Sequence, residues 1–296
     1  MITASQVKEL RDKTGAGMMD CKKALESTDG DLAKAVDWLR EKGIAKAAKK
    51  ADRIAAEGLT RALVLGNTAV VFEINSETDF VAKNEQFLNL FEVVGAALVK
   101  SNVKTIEEAL QLKALDKTIE ELVIDATATI GEKITLRRFE ILSKSDDEIF
   151  GSYIHMGGKI SVVVKLNKTD DADVAKDMAM QVASMSPSYI SRKHIPSEFI
   201  EHERNIQKEI IKNDPTMASK PANIINGILE GRLSKSLQET SLVDQVFFKN
   251  PEIKVAQVLA SAKTDVNYFV RFAVGEGIEK KVDNFAEEVM NQTFGS

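Results

Sequence analysis

Apolar residues recur at helical spacing through residues 1–43 and predict three short helices. The residues that mark the helix faces are Val7 and Leu10, then Met18, Cys21 and Leu25, and then Leu32, Val36 and Leu39. The apolar side chains expected in the core of this module are Met18, Met19, Leu25 and Val36. Gly43 is predicted to end the third helix. About 40 residues is marginal for a stable unit, so the module must pack tightly or lean on a neighbour. A basic linker, rich in Ala and Lys, is predicted over 44–58.

From Leu59 the apolar residues change to an alternating pattern, which predicts β-strands. Strands over 59–65 and 68–75 are expected to form a hairpin with its turn at Gly66-Asn67. The other elements predicted for this first core segment, residues 59–142, are helices over 87–98, 105–112 and 118–129 and a strand over 134–142.

A second core segment repeats this pattern over 143–196 and returns over 239–276. Its predicted elements are strands over 149–156 and 159–167, a helix over 174–185, a helix near 254–262 and a strand over 267–274. A shift of 92 positions places Val71 over Val163, Asp79 over Asp171 and Phe80 over Ala172. We therefore expect an α+β fold with two related subdomains, each a small antiparallel sheet with helices on one side.

Two further helical regions complete the prediction. Helices over 197–212 and 222–238 carry narrow apolar stripes and read as an inserted hairpin, residues 197–238, that protrudes and is available to pair with another chain. A terminal helix is predicted from Ile278, within a C-terminal helical module over 277–296.

Composition limits the class of protein. The 296 residues are 44% hydrophobic, which supports a real core, and the net charge of -5 argues against a protein that works mainly by gripping phosphate backbones. No apolar run reaches the ~18 residues of a membrane span, and the first residues lack a secretion signal. A single cysteine fits a reducing cytosol, so we expect a cytoplasmic protein. The lysines at 46, 49 and 50 are interpreted as a solvated helix face.

Candidate catalytic and metal-binding motifs are absent from the sequence. The stretch from Gly15 to Asp20 falls between predicted helices and is interpreted as a loop, and the stretch before Lys159 fails as a phosphate-binding loop at two positions. Cys21, for which His155 is a conceivable base, is expected to be a buried structural thiol. We expect a binding protein with no catalytic residue, no metal and no cofactor.

One polar segment admits two interpretations. From the residues alone, Thr78 or Asp79 caps a helix, and Phe80 and Val81 begin its buried face. The alternative, that this segment is a loop that contacts a partner, cannot be inferred from the local pattern alone.

Three stretches bear on that choice: residues 7–11 (VKELR) with 14–25 (TGAGMMDCKKAL), residues 77–84 (ETDFVAKN) and residues 271–280 (RFAVGEGIEK). With their order and spacing, they make the chain resemble the translation elongation factor Ts family along its whole length. The resemblance implies a three-helix ubiquitin-associated-like domain, a two-part core, an inserted coiled-coil hairpin and a C-terminal helical module. The hairpin varies within that family, which leaves a homodimer or a 2:2 complex open.

The resemblance also implies a function and a site. It implies a guanine-nucleotide exchange factor that binds elongation factor Tu, both GDP-bound and nucleotide-free, and allows exchange of GDP for GTP during translation elongation. From the acidic net charge and the lack of a long apolar run, we expect no direct contact with nucleic acid or membrane. The residues implied to dislodge Mg²⁺ and wedge into the partner are Thr78, Asp79, Phe80 and Val81, here called the wedge loop. Further partner contacts are expected at Gly15, Gly17, Met19, Asp20 and His155. The rival interpretations are a ribosome- or RNA-associated protein without exchange activity and a structural hairpin adaptor.

Overall fold

The computed structural model describes residues 2–217 and 219–279. The ten α-helices in that part of the chain are α1 (Ala4–Thr14), α2 (Met18–Ser27), α3 (Leu32–Ala48), α4 (Glu85–Leu98), α5 (Ile106–Leu110), α6 (Ile119–Ile130), α7 (Ala172–Met185), α8 (Ser197–Lys212), α9 (Ala222–Thr240) and α10 (Val255–Ser261). The strands are β1 (Glu57–Leu65), β2 (Thr68–Ser76), β3 (Lys113–Ala114), β4 (Lys117–Thr118), β5 (Thr135–Ser143), β6 (Glu148–His155), β7 (Ile160–Asn167), β8 (Val246–Phe247), β9 (Asn250–Lys254) and β10 (Val266–Ala273). The predicted α+β class is confirmed.

The strands form small sheets. One three-stranded sheet has the order β1-β2-β5, and a second has the order β10-β7-β6. The two-stranded pairs β3-β4 and β8-β9 complete the set within the described residues. β6 and β7 are antiparallel, with Glu148 opposite Asn167 and His155 opposite Ile160. None of the helices in residues 2–217 and 219–279 has the length and apolar character needed to cross a membrane.

The described chain divides into two compact units. The first contains residues 2–59, 72–139 and 273–279, and the second contains residues 60–71 and 140–272. The boundaries predicted from the sequence for the seven domains and connecting segments stay predictions.

The N-terminal helices of the first unit follow the predicted order. Thr3 caps α1 in a reciprocal capping box with Gln6, and Leu10, Cys21 and Leu25 are fully buried between the helices. The predicted end of the third helix at Gly43 is wrong, because α3 continues to Ala48. The residues that follow Gly43 are mostly Ala and Lys, which favour helix.

Gly43 has a packing role inside that helix. A Cβ at this position would lie 3.3 Å from the Cβ of Ala128, so the glycine lets α3 approach α6 closely. Arg40 of α3 also pairs with Glu121 of α6. The N-terminal helices therefore lean on the rest of the first unit, as their small size requires.

Aromatic side chains fill the centre of the first unit. Phe72 of β2 and Phe87 and Phe91 of α4 are fully buried, and the ring centroids of Phe72 and Phe91 lie 4.9 Å apart. Such tilted aromatic pairs stabilise the folded state by more than the burial of their apolar surface alone. This packing fixes α4 against β2, the two elements that flank the wedge loop.

The core of the second unit joins β7 to α7. Val162, Val164 and Leu166 alternate inward from β7 and meet Met178 and Val182 of α7. The helices α8 and α9, predicted as an inserted hairpin, pack against each other with Ile211, Leu229 and Leu233 buried.

The predicted C-terminal helical module lies outside the described residues from position 280 onward. Residues 278 and 279, where its helix is predicted to begin, are not helical.

Candidate functional site

The wedge loop presents one aromatic side chain to solvent. β2 is buried along most of its length and ends at Ser76, and the chain then leaves the sheet. Phe80 is 81% exposed, whereas its neighbour Val81 is only 6% exposed. The expectation that both residues begin a buried helix face is therefore wrong for Phe80.

A short turn explains why Phe80 is not carried into the core. Residues Val81–Lys83 form one turn of 3-10 helix, and α4 begins only at Glu85. The helix cap is Asn84, whose Oδ1 accepts the backbone N–H groups of Gln86 at 2.8 Å and Phe87 at 3.3 Å. The prediction that Thr78 or Asp79 caps this helix is wrong, because Asn84 takes that role and leaves the preceding residues to form a separate loop.

The base of the wedge loop is closely held. The Ser76 hydroxyl donates to the carbonyl of Thr78 at 2.8 Å. The backbone N–H and the hydroxyl of Thr78 both donate to the carboxylate of Glu132. Sequence reasoning missed Glu132, because it lies 54 positions away and belongs to no recognised motif.

A second candidate surface lies at the loop between α1 and α2. Met18 is 56% exposed and Met19 is 65% exposed, so the prediction that they belong to the core is wrong. Helical periodicity identified a face at these positions, but nothing covers that face within the described residues. The buried position of Leu25 is confirmed.

Hydrogen bonding and packing order this loop. Gly15 ends α1 in a left-handed conformation with φ 68°, and Gly17 stands at the N-cap of α2. Asp20 pairs with Lys46 of α3 at 2.7 Å. A Cβ at Gly15 would lie 3.2 Å from Nε2 of Gln86, in the first turn of α4. The loop therefore rests against the helix that follows the wedge loop.

His155, another expected contact, belongs to the second unit. It is the last residue of β6, and its Nδ1 lies 3.2 Å from the Tyr153 hydroxyl. The next residue, Met156, is 73% exposed. Met156 thus places an exposed apolar side chain at the end of the β6–β7 hairpin.

Cys21 is a buried thiol, as predicted. It donates to the carbonyl of Ala16 at 3.6 Å, and burial raises its pKa above the ordinary value. A thiol with a raised pKa is a poor nucleophile. In the part of the chain that the structure describes, no three or more His, Cys, Asp or Glu side chains are grouped to hold a metal ion.

A buried carboxylate organises the third stretch that resembles the family. Glu73 of β2 is fully buried and pairs with Arg137 at 3.1 Å and Arg138 at 2.6 Å. It also accepts the backbone N–H of Gly275 at 2.8 Å. Gly275 has φ 71°, and a Cβ there would overlap the carbonyl oxygen of Ala56, so only glycine fits.

The ionisation of Glu73 follows from these contacts. Burial by itself raises the pKa of the carboxyl, but hydrogen bonds from Gly275, Asn75 and Arg138 outweigh it and hold the pKa below the ordinary value. The charged form is thus the one that ties the turn after β10 to the sheet. Sequence reasoning missed this cluster, whose members are up to 202 positions apart.

A family model described as elongation factor TS matches residues 77–276, a range that includes the wedge loop. The elongation factor Ts of Acholeplasma laidlawii (strain PG-8A) is 58% identical over 292 residues, which cover 98% of this chain and 98% of that protein. This chain belongs to the elongation factor Ts family.

Proposed function

We propose that this protein releases GDP from elongation factor Tu by inserting Phe80 into the partner. Elongation factor Ts is the nucleotide exchange factor for elongation factor Tu, and this chain is its homologue. The observation that carries the role of Phe80 is its exposure, 81%, on a loop whose flanking residues are held or buried.

The proposed mechanism depends on the properties of an aromatic ring. Phenylalanine is large, apolar and rigid, so its insertion between helices of the partner displaces packed side chains. The displacement reaches the Mg²⁺ site and the phosphate-binding loop of the partner, and the ion and the nucleotide loosen together. Asp79, exposed beside Phe80, is placed to contact the partner at the same point.

Binding and release are linked by thermodynamics. If the factor weakens nucleotide binding by some ratio, nucleotide weakens factor binding by the same ratio. The nucleotide-free partner is therefore bound more tightly than the GDP-bound partner. No covalent bond forms or breaks, and the concentrations of GTP and GDP in the cytoplasm, where translation takes place, set the direction of exchange.

Other surfaces supply the affinity that the wedge needs. A strained partner is tolerated only while further contacts hold the two proteins together. We assign that role to Gly15 and Gly17 in the loop between α1 and α2 and to Met19 and Asp20 in the first turn of α2, and we include His155 in the second unit. The exposed methionines suit such a contact because their side chains are apolar and adaptable.

The RNA-binding alternative is not favoured by the contacts of the basic residues. Lys46 pairs with Asp20, and Lys50 Nζ donates to the carbonyl of Gly131 at 2.7 Å. These lysines are used within the chain, so they are less available to contact phosphates.

Release of labelled GDP from elongation factor Tu tests the proposal. The complex is mixed with excess GTP in the presence and absence of the protein, and removal of Mg²⁺ by a chelator serves as the positive control for release. We expect faster release that saturates with the concentration of the factor. An unchanged release rate at every concentration would refute the function.

A further inference from the structure

The carboxylate of Glu132, far from Thr78 in the sequence, accepts hydrogen bonds from both the backbone N–H and the hydroxyl of Thr78. The backbone N–H of Thr78 donates to Glu132 Oε2 at 2.8 Å, and its hydroxyl donates to Glu132 Oε1 at 2.6 Å. Both residues are half-buried. Hydrogen bonds to an ionised group are stronger than bonds between neutral groups. Two of them fix the orientation of the backbone two residues before Phe80.

A second carboxylate links the same two segments, but here the acceptor lies beside Thr78 and the donor lies beside Glu132. Glu77, next to Thr78, accepts the backbone N–H of Lys133 at 2.6 Å through Oε1. Its Oε2 accepts Arg53 Nη1 at 3.2 Å. The carboxylate of Glu77, just before the wedge loop, thus accepts a hydrogen bond from the turn at 131–133, and the carboxylate of Glu132 in that turn accepts hydrogen bonds from Thr78. These reciprocal hydrogen bonds restrain both the position and the orientation of the wedge loop relative to the turn at 131–133.

The turn that carries Glu132 is itself anchored. Gly131 ends α6 in a left-handed conformation with φ 90°, which glycine adopts without strain. Lys50 donates to the carbonyl of Gly131, and Lys133 Nζ donates to the carbonyl oxygens of Ala51 at 2.6 Å and Arg53 at 2.9 Å. The segment after α3 therefore holds the turn in place.

The fixed points lie on both sides of Phe80. Thr78 is bonded to Glu132, and Val81 is buried, while Asp79 and Phe80 between them are exposed. Fixing one residue of a free loop costs about 1–2 kcal/mol of conformational entropy. A loop that is already fixed avoids that cost when it enters a partner.

We propose that Glu132 is a positioning residue for nucleotide exchange. It holds the wedge loop in the conformation from which Phe80 enters the partner, and it acts through Phe80 without touching the partner itself. This inference rests on the proposed function.

The test compares Glu132→Ala with the wild-type protein in GDP release over a range of factor concentrations. We expect the saturating rate to fall about 10-fold, the size of effect typical of losing hydrogen bonds to a charged group. Glu132→Gln keeps the shape and one acceptor oxygen, so it is expected to fold and to recover part of the rate. In the Phe80→Ala background, Glu132→Ala should cause no further loss, because the two residues act as one unit.

Glu120→Ala is the matched control. Glu120 is an exposed carboxylate in the first turn of α6, the helix that precedes the turn with Glu132, and it accepts a hydrogen bond from Gln111 at 3.0 Å. Its exchange rate should equal that of the wild type. Wild-type rates in both Glu132 variants would overturn the positioning role, and so would an equal loss with and without Phe80. Failure of the wild-type protein to release GDP would instead refute the proposed function.

Discussion

Phe80 and Val81 are neighbours in the chain, yet their side chains have opposite environments. Burying a valine stabilises a fold by about 1.5–3 kcal/mol, so Val81 attaches the loop to the core. Phe80 has almost no contact to lose, and its substitution is expected to change the free energy of unfolding by less than about 0.5 kcal/mol. Effects on binding and on stability are therefore separable at this site.

Glu73 gives a prediction about acid stability. Its pKa lies below the ordinary value of 4.5 in the folded protein, so the carboxylate stabilises the fold above about pH 4.5. That contribution disappears as the pH falls through the lowered folded pKa. Glu73→Gln should lower the free energy of unfolding by about 2–3 kcal/mol at pH 7, because Arg137 and Arg138 lose their buried, charged partner.

Urea unfolding between pH 7 and pH 3 measures this effect. The Glu73→Gln protein should show a flatter decline in unfolding free energy below pH 4.5 than the wild type. Exposed Glu107→Gln is the control and should follow the wild-type curve. An equally steep decline in the Glu73 variant would contradict the account.

Met18 and Met19 give a prediction about affinity. Replacing both exposed residues with serine should leave the fold intact and raise the factor concentration for half-maximal exchange about 10-fold, which corresponds to about 1.4 kcal/mol. The saturating rate should fall less, because neither residue belongs to the wedge loop. Met185→Ser, at a residue 42% exposed in the second unit, is the control. Unchanged half-maximal concentration in the double variant would remove this surface from the interface.

At the scale of elements, the α8–α9 hairpin is joined to the second unit by bonds at its base. The backbone N–H groups of Ser188 and Tyr189 donate to the carbonyl of Thr240 at 3.0 Å, and Leu242 donates to Tyr189 at 2.9 Å. These bonds lie outside residues 197–238. A deletion of that range therefore leaves the closure of the second unit in place.

Replacing residues 197–238 with a short Gly/Ser bridge should change self-association more than exchange. The hairpin exposes Ile206, Ile210 and Ile224, each at least 40% accessible, but carries none of the wedge-loop residues. Light scattering gives the molar mass, and GDP release gives the exchange rate, expected to stay within about threefold of the wild type. Loss of exchange in a folded deletion protein would contradict this division.

Long periodic elements were predictable from the sequence. The bounds of α8, Ser197–Lys212, are as predicted, because charged and apolar residues alternate at helical spacing through its whole length. The pairs β3-β4 and β8-β9 were missed, since strands of two to five residues are too short for a recognisable alternation. Gly43 was misread because a glycine inside a helix and a glycine at its end look alike in the sequence.

The candidate site also has features that could be predicted from the sequence and features that could not. The wedge loop was identified by its resemblance to a family, whereas its residues alone favoured a helix cap. Met18 and Met19 were misplaced because periodicity defines a face without saying what covers it. The bonds from Glu132 to Thr78 and from Glu73 to Gly275 join residues far apart in the chain, and no local pattern reveals them.

At the scale of the whole molecule, different surfaces have different proposed tasks. Under the proposed function, residues 15–20 hold the partner, the wedge loop strains it, and the turn at 131–133 fixes the wedge loop. A coupling of about 3 kcal/mol between factor and nucleotide corresponds to about 150-fold weaker nucleotide binding. A larger weakening of nucleotide binding needs a correspondingly larger coupling free energy.

The most direct test of this account is the saturating rate of GDP release from elongation factor Tu by Phe80→Ala, measured by stopped flow beside the wild-type protein. An aromatic anchor at the centre of an interface contributes about 2–4 kcal/mol, so we predict that the saturating rate falls at least about 30-fold while the free energy of unfolding stays unchanged. Release at the wild-type rate and concentration dependence would contradict the central claim that Phe80 drives exchange.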